Sequence, residues 1–314
     1  MARILVTGSK GVIGSYLVPM LEKKGHSVFG IDLFHDVGET GWEHEMVKGK
    51  MTYSRADVSD FRQLERVFAK VGPFDLVYHT AAEFGRWNGE DYYEQVWRSN
   101  AIGTKHIIRL QEKIGFKLIH FSSSEVYGDY EDIMAEDIME NIEIKQMNDY
   151  AMSKWVNEMQ IRNSATMHGT KSVIVRLFNT YGPGEWYHPY RSVNAKFCYH
   201  ALHGIPVTVY KGHYRTSTYL EDTCRTLSNI ADNFKTGETY NIGGNEYHDI
   251  ETLAKIIWDY TKADKKLIEY KDSEVLTTKS KKVDISKAIR DIDHKLTFSL
   301  EDGVKKTIDW MRTY

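Results

Sequence analysis

The residues with the clearest chemical potential are three consecutive serines and a glutamate, Ser122 to Glu125, together with Tyr150 and Lys154. The run directly follows the apolar stretch 117–121, which is typical of a buried strand. Hydroxyl and carboxylate side chains are poorly suited to the continuation of a buried strand. They suit the edge of a parallel sheet, where the strands end and ligands bind. The alternative is a serine-rich turn whose hydrogen bonds are only local.

Tyr150 and Lys154 are four residues apart on a predicted helix, so both project from the same face. A tyrosine ordinarily has a pKa of about 10 and is a poor base at neutral pH. A nearby ammonium group favours the phenolate and lowers that pKa. Tyr150 could then remove a proton from a hydroxyl group while Ser123 hydrogen-bonds to the same oxygen. The Y-x-x-x-K spacing also occurs by chance, so its weight depends on the motifs around it.

A glycine-rich turn follows the first apolar run of the chain, residues 3–7. Gly8, Gly11 and Gly14 have the spacing G-x-x-G-x-x-G and precede an amphipathic stretch that ends near Gly25. Such glycines permit a tight turn and a close approach of the backbone to a pyrophosphate, and the helix start offers free N–H groups. This strand–turn–helix context predicts a dinucleotide site.

A carboxylate, Asp32, ends the next predicted strand, 18 residues after Gly14. A carboxylate there accepts hydrogen bonds from ribose hydroxyls and repels a 2′-phosphate, which predicts NAD rather than NADP. The alternative is an exposed aspartate at a strand end. With NAD at this edge, Tyr150 would take a proton from a sugar hydroxyl while hydride leaves the same carbon for the cofactor.

Strands alternate with helices along the first half of the chain, which predicts an α/β fold with a doubly wound parallel (Rossmann) sheet. The later, mixed patterns predict a smaller, interleaved substrate-binding α/β lobe. We expect residues 1–180 and about 222–245 to form the NAD-binding domain. Residues 181–221 and 246–314 are then expected to form the substrate-binding lobe.

Residues 83–94 leave the end of a predicted sheet strand as a polar, aromatic and irregular segment. Glu83 and Arg86 could therefore line a substrate pocket, although an ordinary surface loop explains the segment equally well. A long helical region is predicted from about residue 92 to residue 114, and another begins near Tyr150.

Composition restricts the function classes. The chain has 314 residues, with 41% hydrophobic and 27% charged residues, so it can bury a substantial core. A net charge of −3 disfavours a nucleic-acid binder that neutralises phosphates. Cys198 and Cys224 lack metal-ligand spacing, so we predict two reduced core thiols and no metal site. The absence of a signal peptide and of a long apolar run predicts a cytoplasmic protein without a membrane partner.

Taken together, these motifs resemble the extended short-chain dehydrogenase/reductases of the NAD-dependent epimerase/dehydratase family, which act on nucleotide sugars. The resemblance covers nearly the whole chain and rests on Gly8 to Gly14, Asp32, Asp57-Val58, His79 to Ala82, Asn100, Ser122 to Gly128, Tyr150, Lys154, Asn179 to Pro183, Arg215 to Asp222 and Tyr240 to Gly244.

The resemblance implies roles for individual residues. The expected catalytic residues are Ser123, Ser124, Glu125, Tyr150 and Lys154. The expected cofactor contacts, in addition to Tyr150 and Lys154, are Gly8, Gly11, Val12, Ile13, Gly14, Asp32, Leu33, Asp57, Val58, Thr80, Ala81, Ala82 and Asn100. The expected substrate contacts are Glu83, Arg86, Ser123, Asn179, Arg191 and Arg215.

The resemblance also implies a reaction that begins by oxidising C4 of the hexose of a nucleotide sugar. Nucleotide-sugar 4,6-dehydratases similar to this chain carry Thr-Asp-Glu or Thr-Ser-Glu where Ser123, Ser124 and Glu125 stand. We therefore predict a 4,6-dehydratase, a lyase with tightly bound NAD that gives a 4-keto-6-deoxy sugar. Glu125 would remove H5, the 6-hydroxyl would leave as water and hydride would return to C6. Ser124 is a weaker proton donor than Asp for that leaving group.

Other reactions of the same family remain open. UDP-glucuronate decarboxylases contain a similar Ser-Glu pair, and a 4-epimerase or a C4 dehydrogenase would share the first step. A non-enzymatic NAD-binding protein is a remote alternative, because such a protein is expected to have lost Tyr150 or Lys154. The resemblance further implies a homodimer in which the helices that carry Asn100 and Tyr150 form a four-helix bundle.

Overall fold

The structure, a computed structural model, describes residues 1–33, 44–47, 50–272 and 274–313. Its strands are β1 (Arg3–Thr7), β2 (Ser27–Asp32), β3 (His44–Val47), β4 (Lys50–Arg55), β5 (Leu76–His79), β6 (Lys117–Ser123), β7 (Ile133–Met134), β8 (Ser172–Leu177), β9 (Thr180–Tyr181), β10 (Val207–Tyr210), β11 (Tyr214–Thr216), β12 (Thr218–Tyr219), β13 (Thr239–Ile242), β14 (Tyr247–Asp249), β15 (Ile268–Lys271) and β16 (Lys282–Val283).

The helices are α1 (Val12–Lys23), α2 (Phe61–Val71), α3 (Arg86–Asp91), α4 (Tyr93–Val96), α5 (Gly103–Ile114), α6 (Ile138–Asn141), α7 (Asp149–His168), α8 (Val193–His203), α9 (Leu220–Asn229), α10 (Ile250–Thr261), α11 (Ser286–Ile292) and α12 (Leu300–Met311). A π-helical turn, Trp97–Ile102, joins α4 to α5, and a 3₁₀ turn, Ser124–Tyr127, follows β6. Within the described ranges, no helix is long and apolar enough to cross a membrane.

The main sheet has the strand order β13-β8-β6-β5-β1-β2-β4-β3. The seven strands from β13 to β4 are parallel, and β3 pairs antiparallel with β4 at the edge. The order runs outward from β1 in both directions, so the sheet is doubly wound, as predicted. A switch of direction of this kind opens a crevice at the carboxyl ends of the strands, where ligands bind in such folds.

Both faces of this sheet are covered by helices. Ile4 and Val6 of β1 pack into the core beneath α1 and α9, whereas Leu5 packs into the core beneath α2, α5 and α7. Successive side chains of a strand point to opposite faces, so one short strand contributes to both cores. Burial on two sides explains why these strands are continuous apolar runs in the sequence.

A third core lies outside the sheet, where α8, α10 and α12 pack around residues such as Cys198, Val209 and Trp258. Its residues all fall within the ranges 181–221 and 246–314, which were predicted to form the second lobe. Cys198 and Cys224 are both free and buried, as predicted. The division into two interleaved units stays a proposal. α11 lies in the range predicted for the second lobe, but its residues Ala288 and Ile292 pack into the core of the sheet.

Of two predictions for residues 83–114, one was confirmed: the chain is helical without a break from Tyr93 to Ile114, with π-helical geometry at Trp97–Ile102. The other was wrong, since the segment predicted to be irregular contains α3. The reason is a tertiary contact. A Cβ atom on Gly89 would lie 2.9 Å from the Tyr150 backbone nitrogen, so α3 packs directly against the first turn of α7. Local periodicity does not reveal a helix that is held in this way.

A buried ion pair attaches α7 to the sheet. Arg176 of β8 donates from Nη2 and Nε to the Glu158 carboxylate of α7, at 2.8 and 3.0 Å, and Ser122 Oγ donates to the same carboxylate at 2.6 Å. Arg176 and Glu158 are both 0% exposed. A buried pair with these additional hydrogen bonds fixes how α7 sits on the sheet, and therefore where Tyr150 and Lys154 point.

We expect the substitution Arg176→Met to lower the free energy of unfolding by about 3–5 kcal/mol, because it removes the buried cation of Glu158 and leaves only the more exposed Arg162, at 3.6 Å. Lys265→Met is the matched control, since Lys265 is paired with Asp259 on the surface. Its cost should stay within about 1 kcal/mol. Urea unfolding followed by circular dichroism measures both values. Equal costs for the two variants would contradict this role of the pair.

Candidate functional site

A cleft of about 1590 Å³ lies at the carboxyl ends of the parallel strands, between the sheet and the second lobe. It is lined by the turn after β1, by the ends of β2, β4, β5 and β6, by the first turns of α7, and by segments of the lobe. The predicted site residues all line it, with the single exception of Asn100. A cleft of this size is larger than a pocket for one drug-sized ligand.

The glycine turn forms one end of the cleft. A Cβ atom on Gly14 would overlap with the carbonyl oxygen of Gly8, so only glycine permits this tight passage from β1 into α1. No side chain caps the first turn of α1, which begins at Val12. The N–H groups of a helix start lack partners within the helix and carry partial positive charge, so this turn can receive an anionic group.

Asp32 stands at the end of β2 beside this turn. Its Oδ2 accepts a hydrogen bond from the Lys10 backbone N–H at 2.9 Å, and its Oδ1 accepts one from the Leu33 N–H at 2.7 Å. These bonds fix the carboxylate at the rim of the cleft. Asp57 and Val58, at the end of β4, line the same part of the cleft.

Thr80, Ala81 and Ala82 connect β5 to the centre of the cleft. Thr80 Oγ1 donates to the Thr7 carbonyl at 2.7 Å, and the Ala81 N–H donates to Thr7 Oγ1 at 3.2 Å. The backbone of this segment is therefore held against β1, and the segment lines the cleft together with the glycine turn and Glu83.

Asn100 departs from its predicted role. It is 1% exposed, its Oδ1 accepts from the Glu83 N–H at 2.9 Å, and its Nδ2 donates to the Glu83 carbonyl and to Ser153 Oγ, both at 3.0 Å. All of these bonds are internal. Asn100 therefore fixes the backbone at Glu83, which lines the cleft, and does not face the cleft itself.

The serine-glutamate run forms a tight turn over the end of β6. Ser123 Oγ accepts from the Glu125 N–H at 3.2 Å, which starts the 3₁₀ turn. Tyr150 lies within hydrogen-bonding reach of the Ser123 side chain. Lys154 is 4% exposed, and its Nζ donates to the Phe121 carbonyl at 2.8 Å. The structure thus places these predicted catalytic residues on one wall of the cleft.

The pKa of Tyr150 differs from the prediction. Burial raises it to about 12; the nearby Glu125 carboxylate also raises it, and the hydrogen bond with Ser123 only partly opposes this. The Lys154 ammonium points to a backbone carbonyl and lies 5.9 Å from the centre of the Tyr150 ring. Burial also lowers the pKa of Lys154 to about 8. Lys154 alone therefore does not produce a phenolate in this site.

Glu125 has a partner that the sequence did not indicate. Lys281 Nζ lies 2.5 Å from Glu125 Oε1, and Lys281 is 2% exposed. Burial would raise the pKa of Glu125, but the charges of Lys281, Arg86 and Arg215 outweigh it, and the pKa falls below its ordinary value. Lys281 belongs to the lysine-rich run 279–282, which in the sequence is typical of a solvated surface.

Two arginines stand beside Glu125 on the cleft wall. Arg215 is 7% exposed; its Nη1 donates to the Tyr214 and Lys279 carbonyls at 2.7 and 3.0 Å, and its Nη2 donates to Thr277 Oγ1 at 3.1 Å. Arg86 forms an ion pair with Glu274, at 3.0 Å. Both arginines line the cleft, as do the carboxylates of Glu83, Glu125 and Glu274. Of the two arginines, only Arg86 forms an ion pair within the described residues.

The outer part of the cleft is aromatic. The Arg191 guanidinium lies over the Phe84 ring, at 3.9 Å from its centre, and the Nε atom of Arg191 is buried without a hydrogen-bond partner. Asn179 lines the cleft with a positive φ of 35°. Further lining side chains here are Trp186, Tyr187 and Tyr210. Flat aromatic surfaces beside a guanidinium suit a planar ring and an anion.

Comparison with known proteins agrees with this arrangement. Residues 4–243 match the model of the NAD dependent epimerase/dehydratase family. A UDP-N-acetyl-alpha-D-glucosaminuronate decarboxylase from Bacillus cytotoxicus is 30% identical, over 99% of this chain and 98% of the relative. A dTDP-glucose 4,6-dehydratase from Salmonella typhimurium is 26% identical, over 98% of this chain and 92% of the relative.

Among solved structures, a UDP-glucose 4-epimerase from Thermotoga maritima, crystallised with UDP-glucose, superposes with a TM-score of 0.86. It is 25% identical, and the alignment covers 99% of both chains. The three relatives catalyse different reactions on the same fold, so the likeness does not select one reaction. The chain belongs to the NAD-dependent epimerase/dehydratase family of extended short-chain dehydrogenase/reductases.

Proposed function

We propose that this protein is a nucleotide-sugar enzyme that oxidises C4 of the sugar and retains its NAD through the turnover. The observation that supports this most is the wall formed by Ser123, Tyr150 and Lys154, which lies in one cleft with a glycine turn suited to a pyrophosphate. Proton removal from a hydroxyl and hydride removal from its carbon must occur side by side. A cleft that holds both groups permits this.

The residues of the inner cleft fit NAD. The uncapped start of α1 and the glycine passage suit the pyrophosphate, Asp32 suits a ribose with free hydroxyls, and Asp57-Val58 suits the adenine. When bound, NAD supplies the acceptor for a hydride and later its donor.

In the first step, Tyr150 would take the proton of the sugar 4-hydroxyl, and Ser123 would hydrogen-bond to the same oxygen. Because burial raises the pKa of Tyr150 to about 12, the phenol needs more positive charge nearby than Lys154 supplies. The positive charge of the oxidised cofactor acts in that direction. Lys154 then has two tasks, to hold the Phe121 carbonyl and to add its charge.

For the second step we propose decarboxylation of a nucleotide hexuronate. A ketone at C4 makes the C6 carboxylate a β-keto acid, so the C5–C6 bond breaks, carbon dioxide leaves and C5 takes up a proton. The observation in favour of this step is the Arg215 guanidinium beside Glu125, which forms no ion pair within the described residues. Arg86 and Arg215 line the cleft there, and Arg215 has hydrogen bonds only to neutral groups among the bonds found in the described residues. A guanidinium of this kind suits a carboxylate.

Dehydration at C5 and C6, which the sequence ranks first, is the second candidate. Its support is the position of Glu125 on the cleft wall, where a carboxylate could remove H5. Two features weaken it. The ion pair with Lys281 lowers the pKa of Glu125 and so makes the carboxylate a weaker base, and Ser124 is a poor acid for the departing hydroxyl.

A homodimer is also part of the proposal. The π-helical turn, α5 and α7 expose apolar side chains that a helical bundle would cover: Ile102, Ile114, Met152, Met159 and Met167. Exposed apolar residues that recur along neighbouring helices are typical of a helix–helix interface.

The reaction is tested by incubating the purified protein in heavy water with nucleotide hexuronates and hexoses and analysing the products by mass spectrometry. We expect a hexuronate to lose carbon dioxide and to gain one deuterium at C5, and Tyr150→Phe to abolish the change. Loss of water from a hexose with deuterium at C5 would replace decarboxylation by dehydration. No change in any of these sugars would contradict the proposed enzyme class.

The cofactor proposal predicts how Asp32 and Asp57 differ. Asp32→Ser should lower the ratio of the NAD affinity to the NADP affinity by at least about 10-fold, because it removes a negative charge that repels the 2′-phosphate. Asp57→Ser, the matched control, should weaken both cofactors to a similar degree. Isothermal titration calorimetry of the cofactor-free protein measures these affinities. An unchanged preference in Asp32→Ser would contradict the role of this carboxylate.

A further inference from the structure

A segment of the second lobe, residues 274–283, encloses the serine-glutamate turn. Its Leu276 carbonyl accepts a hydrogen bond from Asn148, the residue that caps α7, at 3.2 Å. The Thr278 hydroxyl donates to the Gly128 carbonyl, at the end of the turn. Lys282 and Val283 form β16, which pairs with β7 beyond the turn. The segment therefore contacts the turn and the start of the helix that carries Tyr150.

Lys281 is the residue of this segment that reaches Glu125. Its backbone N–H donates to the Tyr214 carbonyl at 3.1 Å, and its carbonyl accepts from Thr216 Oγ1 at 3.3 Å. Both bonds are to β11, which carries Arg215 between the two contacts. The backbone around Lys281 is thus fixed, and its ammonium ends 2.5 Å from Glu125 Oε1.

Lys281 does not line the cleft, whereas Glu125 and Arg215 do. Lys281 is 2% exposed and its ammonium contacts the Glu125 carboxylate, which lines the cleft. Lys281 can therefore act on a substrate only through Glu125. The charged groups that act on the pair are Arg215 and Arg86, and Glu274 adjoins Arg86. Glu125 receives the largest of these attractions from Lys281.

We propose that Lys281 is a positioning residue that fixes the Glu125 side chain as a carboxylate at the sugar end of the cleft. The effect on turnover rests on the function proposed above, while the contact itself does not. Through this pair, the second lobe determines the charge and the orientation of the Glu125 carboxylate, in the turn that follows β6. Because Ser123, Tyr150 and Lys154 serve the oxidation at C4, we expect the effect of Glu125 in the step that follows, whether that step is decarboxylation or dehydration.

The contact is tested without any substrate by ¹³C NMR of the protein labelled at the glutamate carboxyl carbons, with Glu125→Gln to assign the signal. In Lys281→Met, Glu125 loses its nearest cation. The effect of burial on the carboxyl group is then opposed by less positive charge, so the pKa of Glu125 should rise above its value in the unaltered protein. Lys281→Arg should restore a low value. Lys282→Met is the matched control, because the neighbouring Lys282 is exposed, and it should leave the signal unchanged.

The effect on turnover is measured with a double-mutant cycle on product formation. Lys281→Met should slow the step after C4 oxidation by about 100-fold and shift the acidic limb of its pH profile to higher pH. The same substitution in a Glu125→Gln background should have no further effect, because Lys281 acts through Glu125.

Three outcomes are distinguishable. An unchanged titration of Glu125 in Lys281→Met overturns the proposed contact, and additive effects in the cycle overturn the proposed action through Glu125. If the titration shifts as expected but the unaltered protein transforms no nucleotide sugar, the proposed function fails and the positioning of Glu125 by Lys281 stands. If Lys281→Met does not fold, Lys281→Gln replaces it, because its amide retains hydrogen-bonding capacity in a side chain of moderate length.

Discussion

A carboxylate that is wholly or largely removed from water requires a cation, and this requirement shapes the protein at two places. Glu158 of α7 is paired with Arg176 of the sheet beneath the cleft, and Glu125 is paired with Lys281 of the second lobe at the wall of the cleft. Removing a charge from water without such a partner is strongly unfavourable. The first pair fixes the helix that carries Tyr150 and Lys154, and the second joins the two lobes at the turn that carries Ser123. The geometry of the cleft depends on both.

The two ends of the cleft meet different chemical needs. The glycine turn and the start of α1 offer backbone N–H groups, which suit a pyrophosphate without a large number of side-chain charges. The other end has Arg86, Arg215 and Lys281 around Glu125. A sugar that carries its own carboxylate can pair with the Arg215 guanidinium, which forms no ion pair within the described residues, whereas a neutral hexose cannot. This guanidinium is the physical reason for favouring decarboxylation within a family whose members catalyse several reactions.

Sequence patterns predicted those parts of the site that lie directly after a strand. The glycine spacing, Asp32 and the serine-glutamate run each follow a strand, and the parallel sheet brings the strand ends to one edge. The pattern could not show which way Asn100 points, nor that burial raises the pKa of Tyr150, because both depend on packing. Lys281 was missed because it is 156 residues from Glu125 along the chain and lies in a lysine-rich run that looks solvated.

The central claim is that the wall of Ser123, Tyr150 and Lys154 oxidises the sugar and that the same cofactor is restored within one turnover. Stopped-flow absorbance of reduced nicotinamide, with enzyme in excess over a nucleotide hexuronate and no added cofactor, tests it most directly. The account predicts an absorbance that rises and then decays as product forms, and no rise in Tyr150→Phe. Product that forms with the same rate in Tyr150→Phe, or a rise that never decays, would contradict it.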